Sequence, residues 1–134
     1  GMKDPSQDMV FLTRCLSDCP DDFTIYVGTA NILLAGLTLG AAGGVLALAN
    51  IAPEECVTLC DLFEAGRVAE ARALQQKLLP VNQAITVHYG ISGLKHAHDL
   101  LGMSGGETRR PLLPLASEDR EALEDILKAG LGRP

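Results

Sequence analysis

The chain has 134 residues, a formal net charge of -6, 47% hydrophobic and 4% aromatic residues, and no Trp. That length holds one domain with a real core but not a complete barrel of eight βα units, which takes about 250 residues. The acidic balance argues against a nucleic-acid partner, which would require a basic stripe.

Lys3 and Asp4 are followed by Pro5, Ser6, Gln7 and Asp8 rather than by an apolar segment, so the N-terminal stretch does not read as a secretory signal and a soluble cytoplasmic protein is expected. Pro5 and Ser6 open a predicted helix that continues through Asp8 to Ser17, with apolar residues at 9, 10, 12 and 16 and Phe11 beside them. Cys19-Pro20 and Asp21-Asp22 end it.

Phe23 to Val27 is a β-branched and aromatic run closed by Gly28, and Gly44 to Leu48 is a second apolar run bounded by glycine and by Asn50 to Pro53. Ile32 to Leu39 between them is too apolar to face water. Two short strands joined by such a helix predict a right-handed βαβ unit in a parallel sheet. Neither strand alternates with polar residues, so both faces should be covered. Leu33 to Asn50 carries no charge, but glycines at 36, 40, 43 and 44 interrupt it, which fits a buried helix and strand rather than a membrane span.

Pro53 suits the first turn of the next helix, with Glu54 and Glu55 at its positive end and Gly66 capping it after Ala65. A longer helix follows from Arg67 to Val87, apolar at 68, 71, 74, 78, 81 and 85, which Pro80 should kink or split. Gly90 ends it. Ser92 to Leu101 makes a short helix closed by Gly102, and Ser104-Gly105-Gly106 with the PLLP of 111 to 114 forms an extended connection. Ser117, with Arg120 three residues later, caps a last helix through Leu127 that Gly130 and Gly132 terminate. Residues 1-66 thus read as βα units and 67-134 as a helical extension.

Cys15, Cys19, Cys56 and Cys60 form two pairs spaced i, i+4, which on helices share a face. Structural zinc sites use tighter, turn-based spacings, so buried or half-buried thiols are expected and no metal is assigned. His96 and His98 lie two apart on a helix and point to different faces, and His88 lies near a helix end, so structural or surface roles are expected of all three.

Gly1-Met2-Lys3-Asp4-Pro5-Ser6, VGTA at 27 to 30, LGAAGGVLALANIAPEE at 39 to 55, LLPVNQAI at 78 to 85, YGISGLKHAHDLLG at 89 to 102 and RPLLPLASEDREAL at 110 to 123 carry a resemblance over essentially the whole chain. In order and spacing they resemble the pyruvate-dependent class I aldolase family that contains dihydrodipicolinate synthase, N-acetylneuraminate lyase and 4-hydroxy-2-oxoglutarate aldolase. The wording GGVLALAN and GISGLK is closer to the last of these. The resemblance implies an α/β fold: the end of strand six through helix eight of a (β/α)8 TIM barrel, followed by a C-terminal helical bundle and completed by oligomerisation. On this reading residues 1 to 4 end the sixth strand, Phe23 to Val27 is the seventh and Gly44 to Ala49 the eighth.

By the same resemblance Lys3 matches the Schiff-base lysine, at the strand end where barrel active sites lie. Gly28 and Thr29 match the turn that faces the pocket, and Val45 a strand position near the bound keto acid. Read without the family, Lys3 is a solvated surface charge, Gly28 a tight turn and Thr29 a helix cap. The substrate implied is pyruvate or a related 2-keto acid, with no cofactor. Tyr26 and Tyr89 do not match the family's proton-relaying tyrosine, which comes from the absent fifth strand. Three readings stay open: a Schiff-base lyase, a catalytically silent barrel fragment that self-associates through residues 1 to 53, and a module that binds a full-length relative.

Overall fold

The computed structural model describes residues 1–133. The chain runs β1 (Met2–Asp4), α1 (Met9–Asp18), β2 (Ile25–Val27), α2 (Leu33–Leu39), α3 (Pro53–Glu64), α4 (Val68–Gln83), α5 (Gly90–Leu100) and α6 (Ser117–Leu131). Helix dominates, and the sheet is small. β1 and β2 pair in parallel with Met2 opposite Ile25, Lys3 opposite Tyr26 and Asp4 opposite Val27.

The expected strand from Gly44 to Leu48 is reduced to a single parallel bridge between Val27 and Gly44. Its backbone bonds all reach back to one side: the Val27 amide donates to Gly43 at 3.0 Å, and the Val45 amide to Val27 at 2.9 Å. Past Val45 the described residues offer no strand to hold the chain extended, and Leu48–Asn50 turns into a 3-10 helix. Strand formation depends on pairing more than on the run of apolar residues.

α1 begins later than Pro5 and Ser6 suggest. Gln7 has φ of 62°, which is incompatible with a helix, and Asp8 is the cap: its Oδ1 accepts from the Val10 amide at 2.9 Å and the Phe11 amide at 3.0 Å. Ser6 instead donates its amide to Asp4 Oδ1 at 2.9 Å, so residues 5 to 8 form a turn after β1. α3 has Pro53 in its first turn with Glu54 and Glu55 beside it. It ends where Gly66 takes φ of 71°.

Pro80 neither splits nor ends α4, which runs on to Gln83. The change comes one turn later, where Ala84–His88 widens to π geometry and the Tyr89 amide reaches the Ala84 carbonyl at 2.8 Å. Thr86 Oγ1 donates to the Asn82 carbonyl at 2.6 Å, a side-chain bond of the kind that competes with the helical ladder. α6 also differs from expectation at both ends. Its cap position is Ala116 rather than Ser117, without a side-chain bond, and the helix continues beyond Leu127 to Leu131. Gly130 is inside the helix because a Cβ there would run into the Val81 side chain of α4.

One contiguous apolar cluster joins the two halves of the chain: Leu12, Val27, Leu33 and Leu48 meet Leu59, Leu78, Val81, Ile85, Leu123 and Leu127. Each such side chain, fully buried, contributes roughly 1.5–3 kcal/mol before entropy is counted. No helix among the described residues is long and apolar enough to cross a membrane.

Candidate active site

The three residues of β1 show why Lys3 is available. Met2 and Asp4 turn toward the helices, and Asp4 is 3% exposed, while Lys3 between them is exposed. β2 repeats the pattern, with Ile25 and Val27 buried and Tyr26 exposed. Since Lys3 and Tyr26 are register partners, they lie side by side on the same open face. Val45, also exposed, follows the bridge at Gly44.

Gly28 shapes the end of this face. Its amide donates to the Asp4 carbonyl at 2.7 Å. A Cβ at Gly28 would sit 2.9 Å from Lys3 Cε and 2.6 Å from Pro5 Cα, so glycine alone lets the lysine side chain and the turn after β1 pass this closely. Thr29 does what a cap does: its Oγ1 accepts the Asn31 amide at 3.3 Å at the start of the 3-10 turn Ala30–Ile32. Lys3 and Gly28 therefore meet at one end of the strand pair, Thr29 follows directly with its hydroxyl turned to Asn31 and Asn82, and Val45 is exposed next to the bridge at Gly44.

Behind this face lie polar groups that sequence reasoning missed. Asn82 of α4 is completely buried, and its Nδ2 donates to Thr29 Oγ1 at 3.1 Å and to Asn31 Oδ1 at 2.8 Å. Gln75, on the same helix, accepts from the Leu34 amide at 3.1 Å and donates to the Ala30 carbonyl at 2.7 Å. The signal was present: position 82 lies four residues after Leu78 and three before Ile85, inside the apolar stripe, where an amide needs a partner. Asp4 is another buried polar group. Its Oδ1 holds the Ser6 amide, while Oδ2 has no partner among the described residues.

Open clefts lie on the surface of the described residues. An apolar cleft of about 560 Å³ lies between α1 and α2, lined by Met9, Val10 and Leu39 among others. A polar one of about 440 Å³ is formed by Lys95, His96, Asp99, Glu107 and Arg120. A third, of about 250 Å³, lies beside the 44 to 49 segment against α3, with Leu33, Leu46 and Val57 in its wall. Lys3 lines none of these.

His88 meets Tyr89 edge-on with ring centroids 6.4 Å apart, and His96 belongs to the polar cleft. All four cysteines are free. Burial pushes the Cys56 thiol up to about 11, with Cys60 and Glu55 adding to the effect. No group of three or more His, Cys, Asp or Glu side chains among the described residues is arranged to hold a metal ion.

Comparison with known proteins gives one consistent result. Residues 1–130 match the Dihydrodipicolinate synthetase family. A DapA-like lyase of Halobacterium salinarum is 37% identical over 132 residues, which cover 98% of this chain and 43% of that protein. The 4-hydroxy-tetrahydrodipicolinate synthase of Methanopyrus kandleri is 32% identical over 128 residues, 96% of this chain and 43% of its own length. Among solved structures, a dihydrodipicolinate synthase of Bacillus anthracis superposes with a TM-score of 0.88 at 28% identity, covering 94% of this chain and 43% of that one. The chain thus spans less than half the length of each of these relatives.

Proposed function

The chain belongs to the Dihydrodipicolinate synthetase family, and from that premise we propose that it carries the Schiff-base lysine of a class I carbon–carbon lyase acting on pyruvate-derived 2-keto acids. Lys3 is the nucleophile in this reading. Its amine attacks the keto carbon, water leaves, and the resulting iminium accepts the electron pair of the bond being made or broken. Gly28, Thr29 and the Val45 backbone bind the substrate. The observation that carries the reading is the exposed Lys3 side chain running past Gly28 on the open face of the strand pair.

An amine in water stays protonated, so the attack requires desolvation of Lys3 or a nearby cation. In this proposal the missing cover comes from further βα units, supplied by another copy, by a full-length relative or by a longer form of the chain, with the cytoplasm as the setting. The substrate proposed is 4-hydroxy-2-oxoglutarate, on the wording of residues 43–50 and 90–95. The name of the Methanopyrus relative favours synthase chemistry as the second choice.

The exposure of Tyr26 and Val45 supports an alternative in which the 134-residue chain is silent by itself and associates through this face. Treatment with pyruvate and borohydride, read by mass spectrometry of the intact chain, separates the two. An adduct on wild type and none on Lys3→Ala is the result expected of a lyase. No adduct, or an equal one on Lys3→Ala, removes that reading, and a larger assembly in light scattering then supports the silent fragment.

A further inference from the structure

Two side-chain amides of α4, Gln75 and Asn82, reach across to the segment after Gly28. We infer that α4 is a positioning element for the candidate site, with Asn82 and Gln75 fixing the turn that follows Gly28. The inference builds on the reading of Lys3 above, but its geometry stands without it.

Residues 29 to 34 contain the cap, the 3-10 turn and the first turn of α2, and α4 grips four separate points of that stretch. Asn82 takes Thr29 Oγ1 and Asn31 Oδ1, while Gln75 takes both the Ala30 carbonyl and the Leu34 amide. The two amides lie seven residues apart, two turns along one face of the helix. Gln75 thereby satisfies a backbone donor that the start of α2 would otherwise leave open. Asn31 passes the connection on, donating its Nδ2 to Gln7 Oε1 at 3.0 Å in the turn after β1. The loops at the ends of both strands are in this way joined to one helix.

Stability alone does not account for Asn82. It is fully buried, and its Oδ1 has no partner among the described residues. A buried amide with an unfilled acceptor is a worse core residue than an apolar side chain of similar volume. What the amide supplies is direction: two N–H groups aimed at two side chains of a turn that a leucine would leave unheld. Thr29 Oγ1 is held from two sides, by Asn31 and Asn82, with its own proton free to donate.

Amide hydrogen exchange on the whole chain tests this without substrate. In Asn82→Ala the amides of Gly28 and Asn31 should exchange about ten times faster while those of α6 keep their protection. Gln75→Ala should do the same at Leu34. Thr29→Val removes the cap on the Asn31 amide as well as one partner of Asn82, so it should speed exchange at Asn31 at least as much as Asn82→Ala, and Thr29→Ser should restore the protection. Unchanged exchange at residues 28 to 34, or acceleration spread equally through α4 and α6, overturns the inference. Should Asn82→Ala fail to fold, Gln75→Ala decides by the same criterion at Leu34. Borohydride trapping adds the functional side: Asn82→Ala should slow adduct formation at Lys3 and, because it releases Thr29, raise the pyruvate concentration for half-saturation. A wild type that forms no adduct removes the lyase reading alone, because exchange still judges the positioning role.

Discussion

The strand end around Lys3 and the packing of α4 against α6 are two opposite kinds of surface. Between the helices every side is met: Leu78, Val81, Leu123 and Leu127 are at most 2% exposed, and Gly130 is a glycine so that Val81 can come in close. On the sheet, alternate residues are open to solvent on one side. Tyr26 is 38% and Val45 50% exposed, and β1 is paired on one side only. One region is a finished core, and the other is a face whose apolar residues are only partly covered in the isolated chain.

If that contrast is right, Leu127→Ala should have the largest effect on stability, about 2–5 kcal/mol in urea denaturation, because its site is closed on all sides. Gly28→Ala comes next. The added methyl must displace Pro5 or Lys3, at roughly 1–3 kcal/mol, and any pyruvate adduct should fall with it.

Glu55→Gln should follow, at under about 1 kcal/mol at pH 7, since Arg133 is partly exposed and water screens the pair. Burial would raise the Glu55 carboxyl, but the bidentate hydrogen bonds from Arg133, at 2.7 and 3.0 Å, outweigh it and hold the carboxyl below its ordinary range. A carboxyl lowered in the folded state stabilises above its unfolded pKa, about 4.3, and loses that contribution as pH falls through the folded value. The gap between wild type and Glu55→Gln should therefore close below about pH 4, as thermal melts across pH would show.

Val45→Thr should have the smallest effect, within about 0.5 kcal/mol. A loss as large as that of Leu127→Ala would break the comparison, since it would mean that the sheet face is covered in solution.

The legible parts of the sequence were those decided locally. Pro53, the two glutamates after it and Gly66 located α3, whereas Lys3 and Gly28 were singled out by the family resemblance alone and lie side by side in the fold. The parts that were not legible depend on neighbours. Gly44 to Leu48 has the composition of a strand, but without a partner beyond Val45 it forms one bridge and then a turn. Ser117 looked like a cap by residue type, yet no bond forms and Ala116 holds the position. Asp8 rather than Ser6 caps α1 because Gln7 takes a positive φ, a backbone choice that residue type does not announce. Asn82 was hidden for another reason: its partners are Thr29 and Asn31, and periodicity within one helix says nothing about what lies opposite.

That separation also has a consequence in time. Thr29 and Asn82 are 53 residues apart in the chain. At about 5–20 residues per second of synthesis, Thr29 is made some seconds before the helix that will hold it. During that interval the turn beside Lys3 has its local cap but not its buttress, and the strand edges next to it are open to other nascent chains. The order of synthesis thus leaves the turn beside Lys3 without its buttress until α4 has been made, while the packing of α6 on α4 follows later still.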